Sequence, residues 1–405
     1  MSGRGPVSVE KALEIVLGAV HSLPSEEVPL ASALGRVLAE DVTSDVDLPP
    51  FDRAAMDGYA VRADDLRQVP CRLKVIEEVP AGKIATKAVG KAQCTRIMTG
   101  APVPPGADAI IMQEHTRQLD GREVEVLQLA RPGANICARG EDLRQGQRAM
   151  ERGCVLQPSD MGLLGAIGRK SVRVARRPGV AVIATGSELS EAGAPLSEGH
   201  IYDANTPCLT ALCLASGAEA REFRHVVDDP DALERQVSIA LLHQEIVVIS
   251  GGVSVGPYDW VGEVLRRVGA TICLEKVAMK PGKPVVFATK DDRLIFGLPG
   301  NPVSSFVAFA LFVAPAIRKA MGCSYVAPRE LSARLKDSIE NRSERRLYAP
   351  AQLAFRDGLC EATLVPTHGS ADLVSLTRAN ALVVVPPETT LAHGQSAVVV
   401  PLNSL

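Results

Sequence analysis

The chain has 405 residues, 46% hydrophobic and 22% charged, a balance that excludes a mainly disordered or collagen-like polypeptide and, at this length, calls for roughly two to four cores rather than one. A formal net charge of −3 at pH 7 excludes the large basic excess of a non-specific nucleic-acid binder, so any anionic ligand must be held by local positive groups. The nine cysteines and seven histidines contain neither a Cys-x-x-Cys pair nor a His-Glu-x-x-His spacing, so no disulfide framework or zinc site is expected.

Behind Ser8 as N-cap, Leu13, Val16, Leu17 and Val20 recur at helical spacing and predict an opening amphipathic helix. The start lacks the continuous apolar region of a signal peptide. After LASALGRVLAEDV comes an extended, proline-marked entry, LPPFDRAAMDGYAV. From there to about residue 150, short β-type runs (LKVIEEV, AIIMQE, EVEVLQL) separated by Gly and Pro predict a β-rich module with no long helix. At Arg176-Arg177-Pro178-Gly179 the pattern changes: GVAVIATG reads as a buried strand, PCLTALCLASG as a helix and REFRHVV as a strand. DALERQVSIALLHQ follows as a helix, EIVVIS as a strand, WVGEVLRRVG as a helix and TICLEKVAM as a strand. This alternation predicts βαβ units and a mainly parallel sheet with right-handed crossovers, from residue 177 to about 325. The longest apolar run, Phe306 to Ile317, is too short to span a bilayer and contains Pro315, so a cytoplasmic protein without a membrane span is expected. From Val326 onward short β-like runs return, predicting a small β-barrel or sandwich.

In open α/β sheets ligands sit at the carboxyl ends of the strands, where glycines let backbone N–H groups approach an anion and a helix N-terminus adds partial positive charge. ATGSEL places Glu188 just past one strand, and SGGVSVGPYDW leads from another through Gly251, Gly252 and Gly256 to Asp259 at the start of a helix. Asp228 follows a third strand, ending at Val226-Val227. Singly, each carboxylate reads as a helix cap or turn residue. Three of them around a phosphate cradle would repel the ligand unless a hard cation bridged them, which implies Mg²⁺. KVAMKPGKPVVF then carries Lys276, Lys280 and Lys283, which its prolines fix on a rigid loop instead of a continuous helix. Such a loop is ordinarily solvated surface, but it can also hold ammonium groups near an oxyanion. In FGLPGNPVSS, Asn301 and the N-terminus of a helix beginning about Ser304 offer further donors. In the β-rich module, Asp57 lies in a Met-Asp-Gly turn, Thr99 in the proline-stiffened IMTGAPVPPGADAII, and Arg139 and Asp142 in RGEDL. Turn chemistry explains the glycines and prolines there, though not the Asp, Thr, Arg and Asp set between apolar flanks.

Together and in this order, LPPFDRAAMDGYAV, IMTGAPVPPGADAII, RGEDL, TGSEL, Ser250 to Trp260, KVAMKPGKP and GLPGNPVSS resemble the molybdopterin molybdenumtransferase (MoeA) family, to which the E domain of gephyrin belongs. The resemblance runs from about residue 8 to the C-terminus. It implies an elongated α/β multidomain homodimer: an extended linking domain with N-terminal helices (1–50 and 143–176), a β-rich domain (51–142), a mainly parallel α/β molybdopterin-binding domain (177–325) and a C-terminal β-barrel (326–405). The implied reaction is insertion of molybdate into adenylylated molybdopterin, assisted by Mg²⁺ and releasing AMP. The adenylylating enzyme and apo-molybdoenzymes are the implied partners.

By resemblance, Lys280, Lys283, Ser254, Arg345 and Ser375 bind or guide molybdate with Lys276 nearby, Arg346 being the alternative to Arg345. Gly251, Gly252 and Gly256 admit the pterin phosphate, and Pro299, Asn301 and Arg139 join the substrate-binding set. Glu188, Asp228 and Asp259 organise the metal and the phosphoanhydride, while Asp57, Thr99 and Asp142 reach the partner protomer's α/β site across the dimer. Molybdenum takes soft sulfur ligands, which the substrate's dithiolene supplies, in keeping with the lack of a cysteine cluster. Two positions depart from the family pattern: Cys137 and Pro350 stand where relatives commonly carry arginine. The same resemblance leaves open a non-catalytic, gephyrin-like scaffold, a tungstate-specific homologue, or an α/β relative acting on another nucleotide-linked substrate.

Overall fold

Ser8 does cap the first helix: its hydroxyl accepts the Lys11 N–H at 3.2 Å, and the helix Val9–Gly18 buries Val9, Ala12 and Val16. The structure, a computed structural model, describes residues 5–119, 122–223, 225–253 and 260–402. The chain next runs out as Ser25–Pro29, which pairs antiparallel with the distant Ser171–Ala175, and Val42–Thr43 pairs with Arg148–Met150. Segments more than a hundred residues apart therefore share one core, with Leu38, Leu156, Leu164 and Val174 at its centre. Between them lies a six-stranded sheet in the order Ala109–Met112, Gly58–Val61, Gln93–Ile97, Cys71–Val79, Glu123–Val126, Thr116–Gln118.

The α/β sheet has the order Glu219–Glu222, Gly179–Ala184, Ile246–Ser250, Arg293–Leu298, Pro284–Lys290, Thr271–Lys276. Pairing is parallel through the first four strands and antiparallel beyond, because a tight turn with Asp291 at φ 50° folds Pro284–Lys290 back on Arg293–Leu298. The buried central strands are continuous apolar runs, as a sheet covered on both faces requires. Three boundaries differ from the sequence reading. The strand expected at REFRHVV lies earlier, at Glu219–Glu222, where it runs in register with Gly179–Val182, and only a single bridge, Thr185 to Val226, continues the pairing. TICLEKVAM is two strands, since the chain leaves the sheet after Lys276 and Met279–Lys280 joins the C-terminal barrel. The helix expected from about Ser304 begins at Pro302, with Asn301 at its N-cap position.

That helix also outruns the apolar stretch seen in the sequence. It continues to Ala320 through a π-helical segment, Phe309–Val313, which ends two residues before Pro315. Proline has no N–H to give to the preceding turn, and the wider π spacing accommodates its ring without ending the helix. It is long and apolar enough to cross a membrane, but 83% of its apolar stretch is buried inside the protein. Val307, Phe309 and Phe312 pack in one cluster with Phe287 and Phe296 of the sheet, the environment of a core helix.

The C-terminal β-region closes into a small barrel. Arg346–Arg356 pairs with Leu359–Leu364 on one side and Ala381–Val385 on the other, and Leu331–Leu335 and Ser396–Pro401 complete the ring.

At the amino ends of the parallel strands, Glu245 ties the α/β sheet together. One carboxylate oxygen accepts Arg176 Nη2 at 2.8 Å and Arg293 Nη1 at 3.3 Å, and the other accepts the Gly179 N–H at 2.7 Å. Burial alone would raise this carboxyl's pKa, but the Arg176 and Gly179 hydrogen bonds and both arginine charges outweigh it and hold it below the ordinary range. A depressed carboxylate pKa stabilises the fold above the unfolded-state pKa and is lost as pH falls through the folded value. Glu245→Gln is therefore expected to cost about 1–3 kcal/mol at pH 7. In urea denaturation followed across pH, the gap to the unmodified protein should close below about pH 4.

Candidate functional site

The carboxyl edge of the parallel strands is built around closely packed glycines, one of which, Gly251, lies directly against backbone. Gly251, just past Ile246–Ser250, has φ +98°, and a Cβ there would fall 2.2 Å from the Thr185 carbonyl oxygen. Its N–H donates to the Leu298 carbonyl at 3.1 Å, so two neighbouring strand ends meet at this glycine. Gly252 has φ +62° and lies against Thr185 and Val261. At the adjoining strand end the carboxylate of Glu188 folds over Gly186: a Cβ on Gly186 would sit 2.7 and 2.8 Å from its two oxygens. Asp228 closes the same turn, accepting Thr185 Oγ1 and the Ser187 N–H at 3.2 Å each, while its own N–H donates to Ser187 Oγ at 3.1 Å. Glu188 and Asp228 thus flank one turn, Thr185–Ser187, beside the glycine turn. Asp259, Ser254 and Gly256 lie outside the described residues.

Among the described residues no group of three or more His, Cys, Asp or Glu side chains stands at metal-binding spacing. The donors around Gly186 are all oxygen, two carboxylates and the Thr185 and Ser187 hydroxyls, which is the chemistry that a hard cation takes and a soft one avoids.

A cavity of about 580 Å³ opens between this edge and the barrel, with Lys280, Lys283, Arg345, Asn301 and Ser370 on its polar walls. Backbone bonds from both sides hold the lysine loop. Val7 N donates to the Lys276 carbonyl and Ala278 N to that of Val7, and Met279–Lys280 pairs in parallel with Arg346–Leu347. Arg345 reaches the Met279 carbonyl at 3.3 Å from the cavity wall. Its neighbour Arg346 forms an ion pair with Glu10 and does not line the cavity, so the choice between the two falls on Arg345. Lys276 ends its strand outside the cavity lining, and Pro299 is a buried wall residue.

Ser375 is a correction. It is only 2% exposed in the short helix Leu373–Arg378, with its hydroxyl donating to the Asp372 carbonyl at 2.7 Å. The serines that line the cavity are Ser304 and Ser370, and the hydroxyl of Ser370 accepts Asn301 Nδ2 at 2.8 Å. The Thr367-His368-Gly369-Ser370 turn, with Gly369 at φ +121°, was the available signal. Pro350, the departure from the family pattern, also lines the cavity and adds no charge to it. Sequence reasoning also passed over Thr185, Ser187, Ser250, Asp203 and Asn205, polar residues at or next to the strand ends. Asp203 caps the helix Asn205–Ala215 by accepting the Asn205 and Thr206 N–H groups at 3.0 Å each.

The N-terminal motifs are held by their own local bonds. Asp57 Oδ1 accepts both the N–H and the hydroxyl of Thr99 at 2.7 Å, and these two bonds, the hydroxyl's first, hold the carboxyl below its ordinary pKa. Asp52 accepts the Arg139 N–H at 2.7 Å and gives its carbonyl to Val103 N, while Asp142 N donates to the Leu48 carbonyl. The Arg139 side chain is engaged by Asp47 at 2.6 Å, and Cys137 pairs with Arg53 in a two-residue ladder. Asp57, Thr99, Arg139 and Asp142 are all exposed in this N-terminal region. Among the described residues no hydrogen bond links them to the α/β edge within the chain.

A larger cavity, about 890 Å³, opens at the opposite end of the sheet near His21, Arg176 and Asp292. It lies at the amino ends of the strands, and Glu245, Asp291 and Asp292 balance its cations. The carboxyl edge holds the glycine turns, and the cavity beside it carries Lys280, Lys283 and Arg345, with Glu340, itself paired to Arg342, as the acidic residue in its lining. Buried Cys94 and Cys213, both pushed up to about 12 by burial, are inert thiols.

Fold and site together define a multidomain α/β protein with glycine turns at the carboxyl edge of its parallel strands, beside a cavity lined by two lysines and an arginine. Residues 7–168 match the MoeA N-terminal region (domain I and II), residues 181–319 a probable molybdopterin binding domain, and residues 332–402 the MoeA C-terminal region (domain IV). The chain belongs to the MoeA family. It is 37% identical over 409 residues to the molybdopterin molybdenumtransferase of Nostoc sp., covering 98% of this chain and 94% of the relative. To that of Staphylococcus aureus (strain Mu50) it is 35% identical over 394 residues, 95% of this chain and 92% of the relative. The crystal structure of the molybdopterin biosynthesis MoeA protein of Pyrococcus horikoshii OT3 superposes with a TM-score of 0.85 at 33% identity, covering 98% of this chain and all of that one.

Proposed function

We propose that the protein is a molybdopterin molybdenumtransferase that inserts molybdate into adenylylated molybdopterin and releases AMP. One observation carries the reading: a glycine turn at a parallel-strand end opens beside a cavity bearing Lys280, Lys283 and Arg345. This arrangement brings a phosphate ester and a small metal oxyanion into reach of each other. Backbone N–H groups of the turn beyond Gly251, whose own N–H is spent on the Leu298 carbonyl, take the pterin phosphate, and the two ammonium groups and the guanidinium take molybdate. Glu188 and Asp228, joined by Asp259, would hold Mg²⁺, which supplies positive charge against the phosphoanhydride. Molybdenum needs sulfur ligands and the protein offers no thiolate cluster, so the dithiolene of the substrate supplies them. As a homodimer, one protomer would present Asp57, Thr99 and Asp142 to the other's α/β edge. An adenylylating enzyme would supply the substrate and apo-molybdoenzymes would take the product, in the cytoplasm.

Purified protein given adenylylated molybdopterin, molybdate and Mg²⁺ should release AMP and yield cofactor that activates an apo-molybdoenzyme. Protein that binds the pterin yet releases no AMP under these conditions would replace this reading with a scaffold role.

A further inference from the structure

Asn205 opens the helix Asn205–Ala215, yet its side chain points away from that helix into the gap between two strand ends. Asn205 Nδ2 donates to Ser250 Oγ at 2.8 Å and to the Gly300 carbonyl at 2.6 Å, and its Oδ1 accepts Ser305 Oγ at 3.4 Å. Ser250 Oγ in turn reaches the Pro299 carbonyl at 3.4 Å. An asparagine amide has two donor hydrogens, and both are spent here. One goes to the last residue before the Gly251–Gly252 turn and the other to the loop carrying Pro299 and Asn301, which follows the neighbouring strand.

We infer that Asn205 is a positioning residue, bolting the pterin-phosphate turn to the loop at the cavity mouth so that both substrates are held at a set distance. The inference rests on the functional reading above. With its hydrogens used on Ser250 and Gly300, Asn205 has none left to give a ligand, so it acts through those loops. Thr206, next along the helix, gives its hydroxyl to Asp203 and makes no hydrogen bond to either loop among the described residues, so it reports helix capping.

The test is the dissociation constant for molybdopterin, read from pterin fluorescence on the full chain, with the KM for molybdate from AMP release. Asn205→Asp keeps the shape but presents oxygen to the Gly300 carbonyl, and Asn205→Ala removes all three bonds. Each should weaken molybdopterin binding about tenfold or more, because loop displacements well under 1 Å cost that much. The molybdate KM should stay within about twofold, since Lys280 and Arg345 are held by the barrel and Lys283 by the Val277 N–H, none of them through Asn205. Thr206→Val should bind molybdopterin as the unmodified chain does. If Asn205→Ala does not fold, Ser250→Ala removes a single link and should give a smaller weakening in the same direction. Unchanged molybdopterin affinity in these variants, or an equal loss in Thr206→Val, overturns the positioning role. Failure of the unmodified protein to bind molybdopterin overturns the functional reading and this inference with it.

Discussion

Gly251→Ala is expected to abolish molybdopterin binding and to lower stability by about 3 kcal/mol, the upper part of the range for a strained backbone position. Its φ of +98° lies in the region that side chains disfavour, and the new methyl would meet the Thr185 carbonyl oxygen at 2.2 Å. That oxygen belongs to a backbone fixed by Thr185 N donating to the Ser250 carbonyl at 2.9 Å, so it cannot swing aside as a side chain could. Any relief must move the turn itself, and a shift of about 1 Å is enough to cost a hundredfold in a positioned site. Gly252→Ala provides the comparison. There the nearest atoms are methyls of Thr185 and Val261 at 3.2 Å, which can yield, so a milder loss is expected. Pterin fluorescence and urea denaturation on both variants check the ranking. Equal effects at the two glycines would remove the argument for a backbone phosphate cradle at Gly251.

Lys280→Ala should raise the KM for molybdate about 10- to 150-fold, the equivalent of losing one hydrogen bond to a charged group worth about 1.5–3 kcal/mol. Folding should be little affected, because the Lys280 side chain is exposed and its place in the chain is kept by the backbone pairing of Met279–Lys280 with Arg346–Leu347. Molybdopterin affinity should also hold, since the glycine turn does not depend on the barrel. The assay is AMP release against molybdate concentration, with pterin binding measured separately. A matching loss of pterin affinity would mean that the lysine loop serves the phosphate and that the oxyanion sits elsewhere. Arg346→Ala tests the same geometry from the other side of the strand: Arg346 is spent on Glu10, so its effect should fall on stability instead of on molybdate.

Much of this site was legible in the chain because the physics that writes it is short-ranged. Ser8 and the glycines at 251 and 252 are cap and positive-φ positions decided by atoms within a few residues, whereas Asp228 announces itself only as a turn residue and finds its partners Thr185 and Ser187 through the fold. The strand and helix alternation after Gly179 is equally local, carried by runs of Val and Ile against amphipathic periods. The misses share a different cause. Ser370 displaces Ser375 because Asn301, 69 residues away in sequence, reaches one and not the other. Arg345 faces the cavity and Arg346 does not, because packing brings the Met279 carbonyl to the first and Glu10 of the opening helix to the second. Asn205 reads as an ordinary helix-start residue until Ser250 and Gly300 are brought to it.

Composition, turn chemistry and hydrophobic period therefore determined by themselves which elements form, where the glycine turns fall, and which carboxylates and lysines stand at strand ends. Tertiary structure alone decided which of those side chains share a cavity, that the lysine loop leaves the α/β sheet for the barrel, and that a proline-bearing helix stays whole in the core. The reason is physical: backbone preferences are set within a turn or two of chain, whereas register and side-chain direction depend on partners that only packing brings near.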